Sequence, residues 1–185
     1  LIDSLSKTVD KVILGGGIAN TCLAAKGYEV GKSLIEDSML EEAKELVANP
    51  KIIIPESVIV SISADEPGRI TSANSIQENE AIFDIAPASF VDLEPIIMNA
   101  GTILWNGPLG FFEKENFFAG TAMMAEMIIS SKGFSVAGGG DTISAAEKAG
   151  VLDSLDYVST AGGAFLEFME GKKLPALEAL IDKVN

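Results

Sequence analysis

Short runs of apolar, β-branched residues alternate along this chain with longer stretches whose apolar positions recur every three or four residues. The short runs predict strands at about 11–14, 51–54, 102–105, 134–137 and 157–160. The longer stretches predict helices near 18–26, 36–48, 89–99, 116–132, 142–149, 163–170 and 175–183. Strands separated by helices long enough for a crossover point to an α/β, Rossmann-like three-layer domain, with a mainly parallel central sheet flanked by helices. Between 56 and 87 that alternation breaks down. IVSIS and GRITSA read as short strands around the turn SADEPG, so a small antiparallel excursion is expected near 56–76.

Four of the expected strands run straight into glycine: VILGGGIANT (12–21), TILWNGPLG (102–110), FSVAGGGDT (134–142) and YVSTAGGAF (157–165). Glycine after a parallel strand lets backbone N–H groups approach a ligand with no Cβ in the way, and the helix that follows points its positive end at the same place. In open α/β sheets ligands lie beyond the carboxyl ends of the strands, where all four turns fall. Phosphate suits such an edge. One turn of this kind is more often a tight connection than a site; four on one edge reverse that expectation.

Composition narrows which phosphate ligand and which helpers are available. The chain of 185 residues is 48% apolar, enough for one domain with a substantial core. No run approaches a membrane span, and LIDSLSKTVD has neither the basic start nor the apolar centre of a signal peptide, so a cytoplasmic protein without a membrane partner is expected. The sequence opens on LIDSLSKTVDKV, which reads as the end of a helix leading into the first strand. With 13 basic against 27 acidic residues, a formal charge of −14, the balance argues strongly against nucleic acid as a partner. No histidine and a single cysteine remove imidazole and thiolate metal sites, which leaves a hard, oxygen-bound cation such as Mg²⁺. Cys22, at helical spacing in ANTCLAAKG, reads as an inert buried thiol.

Two nucleotide motifs fit poorly. Gly15 and Gly17 match the opening of a dinucleotide fingerprint, but Asn20 stands at its third glycine and no acidic residue ends a second strand at the required distance. GYEVGKS resembles a P-loop with a helix before it and one residue too few, so Lys32 reads as a surface lysine. The sharpest local signal is Gly138, Gly139, Gly140, Asp141 and Thr142: a wall free of side chains, an acidic residue expected at the helix N-cap, and a hydroxyl in the first turn. Asp141 either caps its own helix or holds Mg²⁺ against phosphates, and both roles can coexist. In WNGPLGFFE the apolar side chains are core by default; beside a nucleotide, one could face adenine while Glu113 accepts bonds from ribose hydroxyls.

VILGGGIANT, YEVGKSL, TILWNGPLGFFE, FSVAGGGDT and STAGGAFLEFMEGKKLPAL, in that order, cover most of residues 11–180, and with them the chain closely resembles the phosphoglycerate kinases. The resemblance is to the C-terminal, nucleotide-binding half, over 1–185. It implies MgATP and MgADP as cofactors, a 3-phosphoglycerate site in an N-terminal half not contained here, a monomer, and no turnover by these residues alone. It further implies that Gly15, Gly16 and Leu34 line the adenine pocket, that Asn106 and Pro108 lie along the adenosine and phosphates, and that Glu113 meets the ribose. Gly138, Gly139, Gly140, Asp141 and Thr142 would hold the phosphates, with Asp141 the metal ligand, and Gly162 and Gly163 would open the helix facing the transferring phosphoryl group. The family's STGGGA is STAGGA here, so Ala161 would be strained if its position required positive φ. Ala64 stands where the family often has an aromatic residue, which assigns adenine packing to Phe83 or Phe111.

Overall fold

The structure, a computed structural model, describes residues 2–175 and 178–179. In chain order the elements are α1 (Ile2–Ser6), β1 (Val12–Ile13), α2 (Gly16–Ala25), α3 (Leu40–Ala48), β2 (Ile52–Ile53), β3 (Ser57–Ser61), β4 (Arg69–Ser72) and β5 (Ala81–Ile85). They continue with α4 (Phe90–Met98), β6 (Thr102–Trp105), α5 (Ala119–Ser130), β7 (Phe134–Gly138), α6 (Gly140–Lys148), β8 (Tyr157–Ser159) and α7 (Gly163–Met169). The five expected parallel strands and the helices between them are present at the expected places. The helix expected over 175–183 lies largely outside the described residues.

The parallel strands do not form one continuous ladder. β1 pairs with β2, Val12 opposite Ile52, while β6, β7 and β8 form a second group in which Trp105 faces Ala137 and Ala137 faces Val158. The excursion also proves longer than expected: β3 lies between β4 and β5 in an antiparallel sheet that runs on to Ile85. AIFDI escaped the alternation pattern because it is apolar on both faces, with a lone Asp84 near its end. Asp156 fastens the start of β8 to β7 by accepting bonds from the Ser135 N–H and hydroxyl, both at 2.8 Å.

Core packing explains which helix faces turn inward. On α4 Phe90, Leu93 and Ile97, and on α5 Met124, Ala125 and Ile128, make single stripes that meet Trp105 and Ala137 of the sheet. Each large side chain so buried contributes about 1.5–3 kcal/mol. Ala145 and Ala146 let α6 lie close against the same cluster. A second cluster, Leu14, Ala19, Cys22 and Ala43, joins β1, α2 and α3. Burial raises the Cys22 thiol pKa, in keeping with the inert role read from its spacing.

Candidate functional site

Hydrogen bonds collect the glycine-rich turns on one edge. The Gly16 N–H donates to Leu109 O at 3.1 Å, tying the β1–α2 turn to the loop after β6. That loop is tied in turn to the β7–α6 turn, because the Asn106 side-chain amide donates to Gly138 O at 2.6 Å and the Gly107 N–H to Thr142 Oγ1 at 2.7 Å. The fourth turn joins through Phe165 of α7, whose ring packs so closely on Gly138 that a Cβ there would collide with it. Gly16 at φ +59°, Gly139 at +100° and Gly162 at +56° occupy the left-handed region that these tight exits require. Ala161 does not have positive φ; Gly162 takes the strained place, so the alanine carries none of the backbone cost considered above.

At one end of this edge is an apolar cavity of about 340 Å³, within the size range of small-molecule sites. Gly16, Leu34, Phe83 and Phe111 line it, bringing together four residues from four separate stretches of sequence. Lys32 also reaches the rim. The segment carrying Leu34 is held over α2 by the Asn20 amide on Leu34 O at 3.2 Å and by the Glu36 N–H on Thr21 Oγ1 at 3.1 Å, while Leu34 itself is 76% exposed. Phe83 stacks on Phe111 with centroids 6.2 Å apart and on Phe117 at 4.7 Å. The Phe111 N–H donates to Phe83 O at 2.7 Å, which extends the β5 edge into the loop. Gly15 lies behind the cavity, where a Cβ would meet Leu109 at 2.6 Å. Pro108 is half-buried in the loop between the cavity and Asn106; Glu113 is exposed farther along the same loop and does not line the cavity.

At the other end stands the N-terminus of α6. Here the expected cap is corrected: the N-cap is Gly139, and Asp141 lies exposed in the first turn, with no side-chain cap bond to the helix. Its carboxylate is therefore turned outward beside free backbone donors. Thr142 lies in the same first turn, as expected. Its hydroxyl is buried, donates to Gly138 O at 2.8 Å and accepts from the Gly107 N–H, so it braces two loops. Among the described residues no group of three or more Cys, Asp or Glu could enclose a metal ion. A lone carboxylate fits a magnesium ion whose other ligands come from phosphates and water.

Three buried or bridging groups went unread in the sequence. Asp84, 1% exposed in the cavity wall, accepts from the Gly120 and Ile85 N–H groups, each at 2.8 Å. Burial pushes its carboxyl pKa up to about 6, partly offset by those two donors. Thr121 Oγ1 accepts from the Leu109 N–H at 3.1 Å and holds the loop from below. Lys148 donates to Phe112 O at 2.7 Å and lies over the Phe118 ring at 4.4 Å. Only Asp84 left a trace, as a lone charge at the end of an apolar run.

No helix among the described residues is long and apolar enough to cross a membrane. The family model for phosphoglycerate kinase matches residues 1–172. Among solved structures, phosphoglycerate kinase from Coxiella burnetii superposes with a TM-score of 0.94 at 43% identity, over 100% of this chain and 49% of its own. Phosphoglycerate kinase from Pyrococcus horikoshii OT3 gives 0.82 at 32% identity, over 97% of this chain and 49% of its own. The chain thus spans about half the length of these relatives.

Proposed function

The chain belongs to the phosphoglycerate kinase family, and on that premise we propose that residues 1–185 form its nucleotide-binding half. The reaction is reversible transfer of a phosphoryl group between 1,3-bisphosphoglycerate and MgADP, yielding 3-phosphoglycerate and MgATP. The observation that carries this reading is the convergence of four glycine-rich turns on one edge, with an apolar cavity at one end and the outward-facing Asp141 carboxylate at the other. Adenine enters the cavity against Gly16, Leu34, Phe83 and Phe111, with Gly15 supporting that wall from behind. Asn106 and Pro108 flank the adenosine and its phosphates, and Glu113 meets the ribose.

The phosphates lie on Gly138, Gly139, Gly140 and the first turn of α6, where backbone donors and the helix dipole favour negative charge. This suits a chain with few cations to spend there. Asp141 holds the magnesium ion, which supplies charge neutralisation when bound. Gly162 and Gly163 open α7 toward the transferring group. Such chemistry rests on positioning and on cationic groups around the transferring phosphoryl. In this reading the catalytic lysine and arginine and the phosphoglycerate site lie outside these residues, so the chain binds nucleotide as a cytoplasmic monomer without turning over.

Calorimetric titration of MgADP into the chain and into Asp141→Ala tests the reading. The expected result is metal-dependent binding weakened at least about ten-fold, or 1.4 kcal/mol, in the variant. Absence of MgADP binding by the unaltered chain, or normal turnover by it in a coupled assay, would contradict the proposal.

A further inference from the structure

The segment that carries Phe111 is fastened to β5 at one place. β3 and β5 slip register there: Ile59 stands opposite Asp84 and Val60 opposite Ile82, so Phe83 is an extra residue in β5. The carbonyl of that extra residue accepts the Phe111 N–H at 2.7 Å. The carboxylate of the next residue, Asp84, turns into the interior at 1% exposure. Its Oδ2 accepts from the Gly120 N–H, at the start of α5, at 2.8 Å. Its Oδ1 accepts from the Ile85 N–H at 2.8 Å and lies so close to Gly110 that a Cβ there would collide with it. Both ends of residues 110–120 therefore rest on one carboxylate, and Phe83, Asp84, Gly110 and Phe111 all line the cavity.

Both hydrogen-bond partners of this carboxylate among the described residues are donors. An ionised carboxylate accepts at both oxygens, so Asp84 is fully matched only when charged. A proton on either oxygen meets an N–H head-on and leaves that buried donor without its acceptor. The elements packed around it present no charge: β3 contributes Ile59, the loop after β6 contributes Gly110, and α5 contributes Gly120. Farther along that loop Glu113 is exposed, Lys114 pairs with Asp65 and Glu115 with Lys148, while Lys32 stands at the exposed rim of the cavity. We propose that Asp84 is a positioning residue for the nucleoside: its ionised carboxylate clamps residues 110–120 against β5 and so holds Phe111 at the cavity, and protonation releases the clamp and weakens binding of the base. This deepens the reading of the cavity as a base site and rests on it. Burial, which raises the carboxyl pKa to about 6, brings the proton on at mild acidity. The same burial makes the fold more stable with the neutral acid, so stability falls and base affinity rises as pH climbs through about 6. A residue that merely supported the fold would move both in the same direction.

Adenosine is the probe, because it has no phosphate and no group that titrates between pH 5 and pH 8. It is added to the 185-residue chain and followed by amide NMR. Without ligand, the Ile85, Gly110, Phe111 and Gly120 amides should shift together with one midpoint near pH 6. Adenosine affinity should fall about ten-fold from pH 8 to pH 5 while the chain stays folded, as expected when only the ionised form binds well. Asp84→Asn should bind adenosine weakly at every pH; if that variant does not fold, the amide shifts and the affinity profile of the unaltered chain decide. Equal affinity at the two pH values, the same fall in Asp84→Asn, a Phe111 amide that does not follow Ile85 and Gly120, or unfolding at pH 5 would overturn the proposal. Absence of adenosine binding at any pH, beside an intact titration of the four amides, would instead overturn the base-site reading, and this role of Asp84 with it.

Discussion

The two ends of the glycine edge are built in opposite ways. The cavity end is made of side chains, Leu34, Phe83 and Phe111, each delivered by a different element and each partly exposed. The α6 end is made of backbone, with Gly138, Gly139 and Gly140 contiguous in sequence and held in place by hydrogen bonds from Asn106 and Thr142. Apolar contact is non-directional, so the first end tolerates small shifts. Hydrogen bonds and left-handed backbone are directional, so the second does not. Each end should therefore fail differently when altered, and MgADP measured beside magnesium tripolyphosphate, which lacks a base, separates the two.

The largest effect is expected behind the cavity. A Cβ on Gly120 would collide with the Asp84 carboxylate and meet the backbone oxygen of Ile85 at 2.7 Å, and that backbone atom cannot swing aside as a side chain can. Gly120→Ala should cost about 3 kcal/mol in urea unfolding, the upper range for overpacking, with MgADP binding weakened more than tripolyphosphate binding. Equal weakening of both ligands would mean that the two ends are not separable.

Asp84 gives a pH signature of similar size at the same place. Its folded pKa is raised, so the folded state favours the protonated acid; the associated stability is fully present below about 3.8 and lost as pH rises through about 6. Relative to Asp84→Asn, the unaltered chain should lose up to about 3 kcal/mol between pH 3.5 and pH 7. A pH-independent difference between the two proteins would remove Asp84 as the titrating group.

Thr142→Val tests the backbone end. It deletes the hydroxyl that accepts from Gly107 and donates to Gly138 O, leaving a buried donor unmatched at a cost of about 2 kcal/mol. Tripolyphosphate and MgADP should weaken together, because the base site is untouched. The smallest effect is expected from Phe111→Ala, since that ring is 37% exposed and stacks on one face only: about 1 kcal/mol of MgADP affinity and no change for tripolyphosphate. Loss of tripolyphosphate binding in this variant would place the two ends in one cooperative unit.

The sequence alone determined the order of the parallel strands and their helices, the position of every glycine turn and the family, because these depend on local pattern. Periodicity separates strand from helix, and a glycine that must take positive φ is visible as a letter. The same locality placed Gly138, Gly139, Gly140 and Asp141 together where a strand passes into a helix, without any knowledge of packing. What tertiary structure alone decided is which distant residues meet. That Thr142 braces a loop 35 residues away and that Asp84 is buried against Gly110 and Gly120 both follow from long-range contacts. A threonine hydroxyl or an aspartate reads the same in sequence whether it faces water or a backbone amide. The distinction is made by burial, which removes water as a competing partner and obliges each polar group to find another.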